Sequence, residues 1–527
     1  MKTFETFVRV LRVASFLQTR TLLCTLTCTT CAAYGTGVVT SPTEANLRAA
    51  LAGGGLVTFA CDGTITLTGP IAIAADTVLD ATGHQISISG GNAVRVIYVG
   101  SNASLALANL TIANGRSDRG AALFNAGTVR ATNCVWSGNV VSNLDSVLNL
   151  GGAVYNGGSF VASRCIFRQN EAVGVLGQDF QWPPPEPSFS QGGAVYNSGS
   201  VVIESSLFVA NKVIGQAGSR GASMAGCGPS GGPGYPGGAS YGGAVCNAGV
   251  ATLVNSTIIS NSCTGGPGGS GGSGGFYYHS GQLYYCTLGG DGGSGGSAGG
   301  SGIHTAGYPA YLTNCTVAYN SAHAGTGGPG GIGAFQGASG AQGTSGGAIQ
   351  ANANAWLVNN IVSANTPDNS SGTNTDLGHN LSSDASCSFT NLGSLNNTDP
   401  KLGPLGDNGG PTLTMALLPA SPAIDAGEST AAPPTDQRGF SRPFGPAADI
   451  GAYEYVARLQ IARVSQSGWN ILLCDGRPGE ISRLLTSSTL SDWQSVATNQ
   501  IDADGMVLFE HNHGNGESQR FYKVTWP

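Results

Sequence analysis

Apolar, small and polar positions return along this chain at fixed offsets from an asparagine. Aligned on Asn114, Asn139, Asn170, Asn211, Asn261, Asn320 and Asn365, the position three residues earlier holds Thr111, Trp136, Phe167, Phe208, Ile258, Val317 and Val362. Eight residues earlier stand Ala106, Ala131, Ala162, Ile203, Leu253, Leu312 and Leu357; five earlier stand the small Asn109, Cys134, Cys165, Ser206, Ser256, Cys315 and Asn360. A glycine-led string precedes these runs. It reads Gly-Gly-Ala-Val-Tyr-Asn at 151–156 and 192–197, and the same with Cys246 in place of Tyr at 242–247; 346–349 is a shortened copy and Gly-Ala-Ala-Leu-Phe-Asn at 120–125 a degenerate one. A unit that joins a β-like run to glycine turns and recurs in columns predicts one coil of a stacked solenoid. The fold class expected is all-β, a parallel β-helix in which like residues sit one rung, about 4.8 Å, above like.

The seven aligned asparagines read as a structural ladder at a corner of the coil. Asn accepts left-handed backbone angles better than most residues, and its amide reaches the Asn of the next rung. The Gly-Gly pair permits close backbone approach where the chain swings into the next strand.

An open solenoid end exposes unpaired backbone, so caps are expected. Ser41-Pro42-Thr43-Glu44 predicts a helix start with Ser41 as N-cap, the helix running through Leu51 and stopping at Gly53-Gly54-Gly55. Strand-like runs at 57–60, 64–68, 77–80, 86–89 and 94–99 are its first, less regular coils. After Asn365 the chain becomes turn-rich, with Asp425, Asp436 and Asp449 as a spaced set of carboxylates, read as backbone caps within a plug for the carboxyl end of the coil. Residues 457–527 read as a small β-sandwich-like module with strands near 459–461, 471–473, 506–509 and 520–524. The expected divisions are 1–37 leader, 38–365 β-helix with insertions, 366–456 cap and 457–527 module.

The interval between aligned asparagines grows from 25 residues (Asn114 to Asn139) to 59 (Asn261 to Asn320), and the excess always follows the Asn. Insertions therefore leave at one corner: 215–241, 265–302 and 325–345, rich in Gly, Ser and Pro. Insertions on one side of a solenoid often form its binding face. Their composition otherwise reads as flexible surface loop. One carries an aromatic island, Phe276-Tyr277-Tyr278-His279 and Tyr284-Tyr285; Tyr277, Tyr278, Tyr284 and Tyr285 are the candidate ligand contacts.

Composition narrows the classes. Charged residues are 10% of the 527, glycine is 84 and the net charge is −7. This fits an extracellular solenoid and gives no basic stripe for nucleic acid. Lys2, Arg9, Arg12 and Arg20 precede a weakly apolar stretch ending Cys31-Ala32-Ala33, which reads as a secretory leader. No uninterrupted apolar run is long enough for a spanning helix. Of 13 cysteines, Cys134, Cys165 and Cys315 share one column and read as buried thiols rather than bridges.

The Gly-Gly-Ala-Val strings with Phe167–Asn170 and Phe208–Asn211 resemble the repeats of polymorphic outer-membrane and adhesin proteins. The series Asp376-Leu377-Gly378-His379-Asn380, Asn408-Gly409-Gly410-Pro411, Ser421-Pro422-Ala423-Ile424-Asp425, Asp436-Gln437-Arg438-Gly439 and Asp449-Ile450-Gly451-Ala452-Tyr453-Glu454 is similar to the choice-of-anchor Q domain of bacterial surface proteins. The resemblance spans roughly residues 40–456. It implies a right-handed parallel β-helix, secreted or at the bacterial cell surface (outer-membrane-associated), with no assigned catalysis. That family joins the β-helix to varied carboxyl-terminal anchors; no sorting signal of a terminal apolar helix with a basic tail and no membrane barrel is read in this sequence, so the resemblance leaves the mode of retention open.

Parallel β-helices also carry polysaccharide lyases and glycoside hydrolases, and fold alone does not decide. Such chemistry needs paired carboxylates or a base with bound Ca²⁺. Between 100 and 365 the acids are Asp118, Asp145, Glu171, Asp179, Glu186, Glu204 and Asp291, and they share no column. No catalytic, metal-binding or cofactor-binding residues are assigned. The expected function is non-catalytic adhesion or binding of a polysaccharide or cell-surface polymer; the alternative is a lyase or hydrolase on the same scaffold.

Overall fold

The computed structural model describes residues 36–142, 148–174 and 189–456, and in the last module 458–463, 468–474, 479, 481–489, 491–502, 506–512 and 521–525. The leader and its cysteines lie outside the described residues.

The chain is a parallel β-helix. Most coils contribute two short runs to an eighteen-stranded sheet, one to a ten-stranded sheet and, in the middle coils, one to a six-stranded sheet. One coil shows the pattern: Val195–Asn197 and Ser200–Glu204 in the first sheet, Leu207–Val209 in the second, Lys212–Ile214 in the third. Pairings between the described coils are parallel, and in register apart from a shift between Ala351 and Ala355 where Ile349–Val358 meets Ser370–Asp376; Phe167 pairs with Phe208 and Phe208 with Ile258. The rings of Trp136, Phe167 and Phe208 stack at 5.8 and 4.5 Å, and Phe160 meets Trp136 edge-on at 5.9 Å. Rung spacing is what lets a buried ring lie flat on its own kind.

Six of the seven aligned asparagines form a continuous buried ladder. Nδ2 of Asn139, Asn170, Asn211, Asn261 and Asn320 donates to Oδ1 of the next rung at 2.8–3.0 Å. The same Oδ1 accepts the backbone N–H of the rung below. Asn114 does not join. Trp136 pairs with Ile112, not Thr111, so the first coil is shifted by one residue and Gly115 takes the ladder position, donating its N–H to Asn139 Oδ1. The reason is burial: Ile112 faces the core, whereas Thr111 points out. The left-handed corner is also one residue earlier than expected. Gly138, Gln169, Ala210, Ser260, Tyr319 and Ala364 carry the positive φ, not the asparagines after them. A second buried ladder, Asn125 to Asn156 to Asn197 to Asn247, runs through the glycine-led strings with Nδ2–Oδ1 distances of 2.7 Å.

The amino-terminal helix α1 spans Glu44–Leu51 and is capped by Thr43, two residues after the expected Ser41. Thr43 Oγ1 accepts the Asn46 N–H, and Glu44 pairs with Arg48 and Thr68. Leu47 is its buried residue.

Winding continues past Asn365. Ser370–Asp376 and Leu381–Ser382 form a last rung, Asn369 accepts from Asn365 and Asn380 from Asn360, and Cys387 and Phe389 close the core. Residues 401–456 do not plug this end. They fold back as a strap over the outer face of the ten-stranded sheet, where Met415, Leu402 and Leu405 cover Leu207, Ile259 and Ala318. Outward apolar residues on that sheet need such a cover. The strap reaches down to the Ser206 carbonyl through Gln437, whose Oε1 also accepts from Thr257.

The last module has two antiparallel three-stranded sheets, Arg458–Arg463 with Gly468–Cys474 and Val507–Asn512, and Ile481–Ser487 with Gln494–Gln500 and Phe521–Thr525. The strands at 481–487 and 494–500 were not anticipated from sequence.

Candidate functional site

The three glycine-rich insertions are not separate loops. Beside the six-stranded sheet stands a four-stranded one, Leu148–Leu150, Phe189–Gln191, Ser240–Tyr241 and Ala298–Gly299. The two pack through Ala172, Val213, Cys263, Ala298 and Ala322 into a fin at the corner of the rod. The insertions extend both layers of this fin. Outgoing runs at 215–224, 265–275 and 325–333 lie parallel, and returning runs at 231–238, 289–296 and 337–343 lie parallel beside them.

Within this arm, hydrogen bonds recur at every third residue. Gly218 and Gly221 donate to Pro267 and Ser270; Gly265, Gly268 and Gly271 donate to His323, Thr326 and Pro329. Gly266, Gly269 and Gly272 donate across the layers to Gly238, Tyr235 and Gly232. Three residues per turn is the period of a polyproline II helix. One glycine face meets the neighbour in its layer, a second meets the other layer, and the third face, Pro267 for instance, is exposed. Close approach requires glycine here: a Cβ on Gly266 would stand 1.7 Å from the Gln216 carbonyl oxygen, and one on Gly272 would stand 1.9 Å from that of Ala222. The expectation of flexible loop is corrected. These backbones approach near enough to bond one another, so hydrogen bonds take the place of a side-chain core.

The aromatic island sits at the far end of this arm. Phe276–His279 and Gln282–Tyr285 form an antiparallel hairpin, with Ser280 and Gly281 at φ 51° and 80°, the pattern of a type I′ turn. Tyr277 and Tyr284 stack at 5.6 Å on one face, and Tyr285 packs against Phe276 on the other at 6.2 Å. Neither face is covered: Tyr277 is 48% exposed, Tyr278 69% and Tyr284 42%. Phe335, 74% exposed, and Ile332 come from the third insertion, tied to the hairpin's root by Gly274 N–H to Ile332 O and Ala334 N–H to Thr287 O. A disulfide, Cys227–Cys286, joins the tip of the first insertion to that of the second. Sequence reading found the tyrosines and missed Phe335, Ile332 and the bridge. The available signal was the two cysteines standing outside the strand columns, inside insertions that leave the same corner.

The remaining candidate chemistry is dispersed. Asp118 is held by Arg95 at 2.9 Å; burial raises its carboxyl, but the Ser117 hydroxyl and the guanidinium outweigh this and keep it below the ordinary aspartate value. Glu171 lies 3.7 Å from Lys212 on the six-stranded sheet, while Glu204 is on the eighteen-stranded sheet. Cys134, Cys165 and Cys315 are buried free thiols. Among the described residues no three His, Cys, Asp or Glu side chains could hold a metal ion, and no helix is long and apolar enough to cross a membrane. Asp436 accepts the N–H groups of Arg438, Phe440 and Glu454, and Asp449 those of Asp425 and Tyr455, in the strap rather than at the end of the coil.

No protein-family model matches the chain, and no curated protein is significantly similar to it.

Proposed function

We propose that this chain is a non-catalytic secreted or cell-surface binding protein that holds an uncharged glycan of a polysaccharide or cell-surface polymer at the end of its glycine arm. The observation that carries this is the uncovered cluster of rings on a hydrogen-bonded stalk. Exposed aromatic patches of this kind mark interaction sites, and Tyr joins an apolar face to a hydroxyl that bonds a sugar. The arm's Asp, Glu, Lys and Arg residues are Arg220 and Asp291, both in its runs, and 221–290, which holds the hairpin, has none, so an uncharged partner is favoured at the tip. The disulfide and the resemblance to choice-of-anchor Q surface proteins support placement outside the cell.

The test is a glycan array with the full chain and with Y277A/Y278A/Y284A, and a reducing-sugar assay alongside. Retention of neutral glycans should fall about tenfold or more in the triple variant, the loss of about 1.4 kcal/mol or more, with no sugar released. Undiminished binding by the variant would refute the tip as the site; released reducing ends would favour a hydrolase or lyase.

A further inference from the structure

We infer that the hairpin at the end of the arm pairs edge to edge with the same hairpin of a second copy of this chain. Phe276–His279 and Gln282–Tyr285 bond to each other and, among the described residues, to no third strand. A lone two-stranded hairpin is marginal in water; three or more strands are needed for independent stability. The direction of its free bonds follows from the turn. A two-residue loop closes on a hydrogen-bonded pair, here His279 with Gln282, and bonded and non-bonded pairs then alternate. The bond from Cys286 N–H to Gly275 O falls on that alternation. Leu283 and Tyr285 therefore turn their N–H and C=O groups away from the hairpin.

Proteins guard an exposed edge with charge, proline, a bulge or a covering segment. Gln282–Tyr285 holds no charged residue and no proline, and its pairing has no shift of register. Its tyrosines are strand formers. Tyr284 Oη lies 2.9 Å from Gln282 Oε1, a bond that holds the edge ring in place.

Charge and position select a second copy as the occupant. Residues 221–290 carry no Asp, Glu, Lys or Arg in a chain of net charge −7, so two hairpins meet without the repulsion that the rest of the molecule would add. The hairpin stands beyond the last glycine runs of the arm, so two tips touch while their rods stay apart. The edge is also complementary to itself. About a two-fold axis through Tyr284, Leu283 of one copy faces Tyr285 of the other, and each such pair trades two N–H···O=C bonds. The same axis sets Tyr284 beside Tyr284 of the second copy in a non-hydrogen-bonded pair, where side chains come closest. Tyr277 and Tyr284 already stack at 5.6 Å. Pairing continues that row with the two tyrosines of the second copy. The pairing needs no ligand; the use of the longer row as a sugar platform rests on the glycan reading above.

Sedimentation equilibrium of the full chain, without glycan, tests this. An edge of four residues buries less than the ~1,200 Å² of a stable complex. The expected result is a monomer–dimer equilibrium that shifts with concentration between about 10 and 500 µM. L283K and L283E each weaken association about tenfold or more, because the new charge stands diagonally across the axis from its own copy. An equimolar mixture of the two recovers it, which a merely unfolded tip would not do. Y278K, on the opposite edge, keeps the dimer and loses glycan retention. A parent chain that stays monomeric, L283K that associates as the parent does, no recovery in the mixture, or an equal loss in Y278K would each overturn the pairing. L283K still retains short neutral glycans, so failure of the pairing and failure of the glycan site are told apart.

Discussion

A single ladder asparagine carries four hydrogen bonds. Asn211 Oδ1 accepts the backbone N–H and the side-chain amide of Asn170, and its Nδ2 donates to Phe167 O and Asn261 Oδ1. All these groups are buried among packed rungs, where an orphaned donor or acceptor costs about 1–3 kcal/mol. Asn211→Ala should therefore destabilise its coil by about 3 kcal/mol or more, and the Asn170 amide should exchange with solvent faster than in the parent chain. Undisturbed exchange at Asn170 would show that the ladder is ornamental. Glycine in the arm acts through the absence of a side chain. Gly272→Ala puts a methyl 1.9 Å from a carbonyl, which only displacement of a whole run relieves. The expected outcome is rapid proteolysis within 215–345 while the rod itself stays folded, read by mass spectrometry of the fragments. These two residue types differ in how visible they are. The ladder asparagines stand at constant offsets from buried rings and can be read from the chain; Asn114 misled because Thr111 and Ile112 are adjacent, and only burial says which faces in.

The attachment of the strap is expected to depend on pH. Asp436, Asp449 and Glu454 share a buried cluster with Arg438 and Arg442; Arg438 Nη2 lies 2.7 Å from Asp436 and Arg442 Nε 3.1 Å from Glu454. Three carboxyls face two guanidinium groups, so one proton is retained. Burial, then repulsion from Glu454, pushes the Asp449 carboxyl up to about 8. A carboxyl raised in the folded state binds its proton more tightly there than in the unfolded chain. Its contribution to stability is thus present at low pH and is lost as pH rises from the ordinary aspartate value through about 8. Trypsin reports this directly. Cleavage after buried Arg438, relative to cleavage after exposed Arg220, should increase between about pH 6 and 8 and level off above that; a constant ratio across pH 6 to 8 would contradict the buried-proton account. The place of the strap was not legible in its turn-rich sequence. The Asp and Arg motifs were visible, but a carboxylate that caps backbone looks the same in a plug as along a sheet, and what places it is the uncovered Leu207, Ile259 and Ala318.

At the scale of the molecule, the arm couples three insertions that lie far apart in sequence into one projecting unit. The Cys227–Cys286 bridge should hold its tip as a single body. C227S/C286S is expected to leave the melting of the rod unchanged while hydrogen exchange rises in 224–230 and 276–288 and glycan retention falls; exchange unchanged at both tips would mean the backbone lattice alone holds them.

The winding is legible along the chain: like residues recur at fixed offsets because each rung must place the same side chain on the same face, and that demand is written locally in every coil. Legible, too, is that the insertions share a corner and that one of them carries the tyrosines. Packing between distant segments, by contrast, orders the glycine runs, brings Phe335 and Ile332 to the tip, and stacks the rings of Tyr98, Phe124, Tyr155 and Tyr196 on one wall. The physical reason is the same each time. A glycine run has no side chains to name its partner, and its hydrogen bonds go to backbones dozens of residues away, so the pattern exists in the lattice and not in any one stretch of chain.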